Sequence, residues 1–158
     1  MKKIFLVLIF WFIFNPAFSQ KKKLVKNLQI KSVTESVEVN GKVLLDSKTV
    51  FDNNGEIIAE DKYDDEGKFS SKKKYKLDMN KDVVEEQEFD SNNKLILKKT
   101  YKYNYNQKKS KELVYDGKNI LIKKVVYAYN NKGLKTSKTT YDAFNKVVSV
   151  KKYSYSYK

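Results

Sequence analysis

The residues of this chain most able to do chemistry by their spacing are tyrosines and lysines. Tyr103, Tyr129 and Tyr155 follow one another at one constant step, and the doublets Lys98-Lys99, Lys123-Lys124 and Lys151-Lys152 fall at near-equivalent places between them. An exposed row of phenol rings can stack sugars or other flat groups. A row of ammonium groups can grip a polyanion, and lysine interleaved with tyrosine is the composition of a polyanion-binding strip. These tyrosines and lysines are the candidate ligand-binding residues. Each set also has a plainer reading: the rings as the core of a repeat protein, the lysines as a solvated face in a lysine-biased proteome.

Other chemistry is poorly supplied. The chain has no histidine and no cysteine, and all 33 basic residues are lysine. That removes the commonest general base, the commonest metal ligands and the best nucleophile. It also removes the guanidinium fork preferred for specific phosphate recognition. Asp61, Asp64, Asp65 and Glu66 form an acidic cluster, without the alternating spacing of a calcium loop. Carboxylate pairs for glycoside hydrolysis need a pocket, and no insertion interrupts the repeat to build one. The expectation is a non-enzymatic protein with no cofactor and no metal.

Charge is polarised along the sequence. From Ser32 to Glu66 there are three lysines and ten acids, net −7, whereas from Lys94 to Lys158 there are seventeen lysines and three acids, net +14. Such asymmetry bears on partners and association rather than on fold.

What must position these groups is a repeat. Tyr63, Phe89, Tyr115 and Tyr141 form one set, Phe51, Leu77, Tyr103, Tyr129 and Tyr155 a second, and Tyr75, Tyr101, Tyr127 and Tyr153 a third, all advancing by the same step without insertion. Turn chemistry separates the segments: Asp52–Gly55, Asp64–Gly67, Asp78–Asn80, Asp90–Asn93, Asn104–Asn106, Asp116–Asn119, Asn130–Gly133 and Asp142–Asn145. An opening Asp or Asn bonds its own backbone two residues on, and a closing Gly or Asn tolerates the left-handed conformation, as four-residue hairpin loops require. Asn40-Gly41 is a further hairpin signal. Between turns, apolar residues alternate with period two: Leu95, Leu97, Tyr101 and Tyr103 share a face, as do Leu121, Val125, Tyr127 and Tyr129. The strand middles are polar. The fold expected is all-β, an antiparallel meander of about 10–11 strands built from tandem two-strand repeats, forming an open twisted sheet with essentially no helix.

The first residues read differently. Lys2 and Lys3 precede an unbroken apolar run from Ile4 to Phe14, then Asn15-Pro16 and the small-x-small site Ala17-Phe18-Ser19. That order is a secretory signal peptide, helical in its apolar run and covering residues 1–19. One β-repeat domain would then span 20–158, with clear repeats over 49–158, in a secreted protein of the periplasm, cell surface or medium. No transmembrane segment is expected after cleavage.

The units Phe51-Asp52-x-x-Gly55, Tyr63-Asp64-x-x-Gly67-Lys68-Phe69, Phe89-Asp90-x-x-Asn93-Lys94-Leu95 and Tyr141-Asp142-x-x-Asn145-Lys146-Val147 resemble the YD repeat of RHS-type proteins. The likeness covers roughly residues 49–158, with lysine in place of that family's arginine and Asn often in place of Gly. It implies β-hairpin sheets in a bacterial surface or secreted protein, as in short Bacteroidetes-type members. The function expected is binding of an extended carbohydrate or anionic envelope polymer, with no nucleic-acid partner. The alternatives are a protein–protein module, whether immunity protein, adaptor or head-to-tail self-assembling element, and an envelope-polymer hydrolase.

Overall fold

The computed structural model describes residues 16–156; the apolar run Ile4–Phe14 lies outside them. Helix α1 (Pro16–Asn27) is followed by β1 (Ser32–Val39), β2 (Lys42–Phe51), β3 (Ile57–Tyr63), β4 (Phe69–Leu77), β5 (Val83–Phe89), β6 (Leu95–Tyr103), β7 (Lys109–Asp116), β8 (Leu121–Tyr129), β9 (Lys135–Asp142) and β10 (Val147–Lys152). The ten strands form one antiparallel meander in sequence order, open at β1 and β10. Among the described residues no helix is long and apolar enough to cross a membrane.

The turns repeat one device. In the first, the Asp52 Oδ1 accepts the Asn54 and Glu56 amides at 2.8 and 2.9 Å. The Asp52 N–H in turn donates to the Glu56 carbonyl at 2.9 Å, and the Gly55 N–H to the Asp52 carbonyl at 3.0 Å. This is the three-residue loop with a left-handed closing residue, one residue tighter than the expected loop. The side-chain oxygen of Asp64, Asp78, Asp90, Asn104, Asp116 and Asp142 accepts the same two amides. The left-handed position falls on Lys81 (φ 68°) and Gln107 (φ 55°), one residue beyond the asparagines expected to close those turns. Asn40 (φ 52°) and Gly41 (φ 74°) make the two-residue turn joining β1 to β2.

Register copies itself from unit to unit. Phe51 pairs with Ile57, Leu77 with Val83, Tyr103 with Lys109 and Tyr129 with Lys135, each pair one repeat period after the last. Tyr63–Phe69, Phe89–Leu95, Tyr115–Leu121 and Tyr141–Val147 are the interleaved pairs. Every one of these hairpins carries a register shift next to its turn, leaving one extra residue on the outgoing strand. Because side chains alternate with period two, that extra residue reverses facing. Leu95 therefore shares a face with Phe89 and not with Leu97, Tyr101 and Tyr103, and Leu121 parts from Val125, Tyr127 and Tyr129. The sequence alternation alone puts them together; the bulge separates them.

Two chemically distinct faces result. The ladder face carries Tyr75, Tyr101 and Tyr127, the acids Glu86 and Glu112 directly opposite the first two, and Tyr103 and Tyr129 at the strand ends. The back face carries Phe89, Tyr115 and Tyr141.

A single sheet buries little. Val25, Tyr101, Val114 and Val125 are the buried apolar residues among those described. Val125, on the apolar side expected for β8, and Val114 in β7 both face the ladder side beside Tyr101 and Tyr127.

Helix α1 is the element the sequence patterning does not anticipate. Proline at its first position suits a helix start, since its missing N–H needs no partner there. The helix ends as the Leu28 and Ile30 amides bond back to Leu24 and Val25, with Gln29 left-handed at φ 51°. Val25 is 3 % exposed against the β2–β3 turn region. Gly55 permits that approach, because a Cβ there would lie 2.8 Å from the Lys22 carbonyl oxygen.

Candidate binding faces

The ladder face is an internally satisfied network. The Tyr75 hydroxyl donates to Glu60 at 2.6 Å, Tyr101 to Glu86 at 2.8 Å and Tyr127 to Glu112 at 3.1 Å. Each donor and each acceptor stands one repeat period after its predecessor. Burial, reinforced by these carboxylates, raises all three phenols well above the ordinary tyrosine value. At Glu86 burial works against the charge, yet the Tyr101 hydroxyl and the Lys99 ammonium more than offset it, and its carboxyl is held below the usual range. Lys99 sits 3.0 Å from Glu86 and Lys73 at 3.6 Å. Lys109 lies 3.5 Å from the Tyr101 ring centroid, and its burial lowers its pKa. At the next step of the acid series stands Lys138, 6.0 Å from the Tyr127 ring centroid.

Glu60, Glu86 and Glu112 are the residues that reading the sequence misses. Their signal is present, as three acids advancing in phase with the tyrosines, but polar strand middles read as solvated positions.

The candidate tyrosines have their polar ends engaged. Tyr103 donates to the Val83 carbonyl, Tyr129 to that of Lys109 and Tyr155 to that of Lys135, all at 2.8 Å. Tyr103 and Tyr129 are half-buried, while Tyr155 is 45 % exposed. These hydroxyls tie the ends of β6 and β8, and the extension of β10, to the start of the preceding strand.

The lysine doublets do not act as doublets. Successive strand residues face opposite ways, so Lys99, Lys123 and Lys151 lie on the ladder face and Lys98, Lys124 and Lys152 on the back face. The Lys98 ammonium is 4.8 Å from the Tyr115 ring centroid and bonds Asn119 Oδ1. Lys124 repeats this one unit later, 4.2 Å from the Tyr141 centroid and 2.6 Å from Asn145 Oδ1. Both are fixed by neutral groups rather than by acids. Lys123, Lys151 and Lys152 are exposed.

The back face adds a pair that the sequence reading does not single out. Lys76 stands directly opposite Glu85; one unit on, Lys102 stands directly opposite Lys111. The following unit has Ala128 opposite Ser137. Like charges in directly opposed positions repel. The three acids between Lys94 and Lys158 do not neutralise them. Glu112 faces the ladder side, and Asp116 and Asp142 each hold two turn amides. The back face of β6–β10 is thus basic, patterned and without a carboxylate of its own in its strand middles.

At the acidic end, a groove of about 390 Å3 runs between α1 and the ladder face of β1–β5, lined among others by Glu35, Glu56, Glu60, Tyr75 and Lys81. Lys22 pairs with Glu56 across it. The cluster near Asp61 is already engaged: Asp61 lies 3.4 Å from the Lys72 ammonium, without hydrogen-bond geometry, and Asp64 caps its own turn. Among the described residues no three acids gather as a metal cluster.

No protein-family model matches the chain, and no curated protein matches it. Among solved structures it is similar to TarM, at 24% identity and a TM-score of 0.32 over 85% of this chain. It is likewise similar to a mutant of S. aureus TarM in complex with fondaparinux, alpha-GlcNAc-glycerol and UDP, at 21% identity and the same TM-score over 82%. The matched region spans about a quarter, 26%, of either of those chains.

Proposed function

We propose that this chain is an exported, non-enzymatic member of the YD-repeat type that binds an extended anionic polymer, a charged envelope polysaccharide, along the back face of β6–β10. The observation that carries the reading is Lys102 facing Lys111, where the earlier unit has Lys76 facing Glu85, on a face whose strand middles from β6 on hold no acid. The ladder face opposes Lys138 and Lys151 as well, but it also carries Glu112 and Asp142. The repeat has exchanged a complementary pair for two cations, and an external anion is the group that relieves them. Equivalent lysines two strands apart, Lys98 and Lys124, stand ~9–10 Å from one another given strand spacing. A polysaccharide carrying one charge per disaccharide matches that step. Tyr115 and Tyr141, beneath these two lysines, offer rings for the sugar. The in-phase acids Glu60, Glu86 and Glu112 are bound to phenols and the turn-opening aspartates to turn amides, which favours binding over catalysis. The leader-like run at residues 4–14 supports an envelope location.

The test compares two variants of equal charge change on a uronic-acid polysaccharide across a salt series. K102Q/K111Q is expected to weaken binding at least ~10-fold and to flatten the dependence of log affinity on log salt by nearly two ion equivalents. K123Q/K151Q, on the ladder face, should retain most of the affinity. Equal loss in both variants would reduce the effect to net charge and overturn the assignment of the face.

A further inference from the structure

The two ends of the sheet differ in a way that points to a second copy of the chain. Among the described residues β10 bonds only β9, and β1 only β2, so each offers a free edge. An uncovered edge strand is a template for another strand, and proteins usually blunt it. Here neither edge carries proline; β10 has a bulge at Val148 and two lysines, which deter a like-charged edge. Yet both edges stay exposed: Val147, Val148 and Val150 are 51%, 64% and 51% exposed, and Val37 and Val39 are 47% and 45% exposed.

Three antiparallel pairings of these edges are open: β10 with β10, β1 with β1, or β10 with β1 of the next copy. Charge separates them. β1 carries Glu35 and Glu38 and no lysine, while β10 carries Lys151 and Lys152 and no acid. Either two-fold pairing therefore opposes like charges along the new ladder, and only the mixed one joins opposite charges. Strand direction agrees. The meander has an even number of strands, so β1 and β10 run opposite ways, and a copy added in the same orientation presents β1 antiparallel to β10 with the ladder faces continuous. The ladder-face chemistry agrees as well. Tyr101 meets Glu112 on its following strand, whereas Tyr153 lies on the edge strand's extension, next to Lys138 and Lys151, where among the described residues no further strand brings an acid. Glu35, which accepts the Ser47 hydroxyl at 2.9 Å, is the acid a second copy would bring to that side.

We infer that copies of this chain associate head to tail, β10 of one pairing with β1 of the next, as a heterologous contact that extends the meander rather than closing it. The test is sedimentation velocity without polymer, on protein starting after residue 19, at low salt and over a rising concentration series. Wild type is expected to show a sedimentation coefficient that climbs with concentration and returns to the monomer value in molar salt. E35K/E38K has two basic edges and K151E/K152E two acidic ones; each alone should remain monomeric with an unchanged β-sheet circular dichroism spectrum. Mixed in equal amounts, the two variants should associate again, because each then supplies the edge the other lacks. Wild type that stays monomeric throughout, or variants that associate alone as wild type does, would overturn the inference, as would a mixture that fails to assemble when both variants are folded.

Discussion

Replacing Tyr101 with alanine is expected to remove about 3–5 kcal/mol of stability, the range for deleting a buried aromatic ring. That is comparable to the whole folding free energy of a small domain, which is only about 5–15 kcal/mol. Tyr101 is 9 % exposed, its ring carries the Lys109 ammonium, and its hydroxyl binds Glu86. In a one-layer sheet with so few buried side chains, neighbours on one side only can collapse into the space left behind. Phenylalanine at the same position keeps the ring and loses the bond to a charged acceptor, a change of about 1.5–3 kcal/mol. Tyr155, exposed and at the sheet edge, should tolerate alanine far better. Urea unfolding reads all three as shifts in midpoint at constant slope. A Tyr101→Ala protein within about 1 kcal/mol of wild type, the size of an ordinary substitution, would show that the ring does not anchor the sheet.

Alkaline pH should unfold the protein from about pH 10 upward, the ordinary tyrosine value. Burial first, and the partner carboxylates after it, raise the phenols of Tyr75, Tyr101 and Tyr127 above the ordinary value of 10.0. The folded state then holds these protons after the unfolded chain has released them. Their stabilisation is complete below the unfolded value and is lost as pH rises from there toward the folded values. Linkage sets the slope at up to about 1.4 kcal/mol per pH unit for each phenol. For Tyr75 and Tyr127, whose rings water partly reaches, that slope is an upper limit. Unfolding free energies measured at successive pH values should fall steeply above the ordinary tyrosine value, and a Y75F/Y101F/Y127F variant, though less stable at neutral pH, should lose less over the same interval. Phenolate absorbance that titrates at the ordinary tyrosine value with the sheet intact would contradict the buried ladder.

Much of this architecture is written locally. Asp and Asn at the turn openings announce themselves because their side-chain oxygens bond the next amides, and the phase of the repeat follows from the aromatic positions alone. The parts that stay hidden are those that depend on register. Nothing in Lys81 or Gln107 advertises a left-handed conformation; the turn before and the hairpin after impose it. Leu95 and Leu97 look like neighbours on one face until the bulge between them is known. Lys98 and Lys99 look like a charge cluster, although strand geometry alone sends them to opposite sides. Glu112 and Lys111 differ by one residue and have opposite fates, one bound to a phenol and the other set against Lys102. Helix α1 carries little apolar periodicity, and what places it is contact with the β2–β3 turn at Gly55.

Constant register, copied from each two-strand unit to the next and sorting side chains onto two unlike faces, underlies both the binding face and the edge pairing. The chain has no cysteine of its own, so engineered pairs report on it directly. Thr100 faces Leu113, and one unit later Val126 faces Thr139. Directly opposed strand residues fall within the Cα separation a disulfide spans. T100C/L113C and V126C/T139C should each oxidise readily to an intramolecular disulfide in the folded protein. K99C/L113C, offset by one residue and therefore divided between the two faces, should not. Ready oxidation of the offset pair, or failure of either matched pair in folded protein, would contradict the register on which everything else depends.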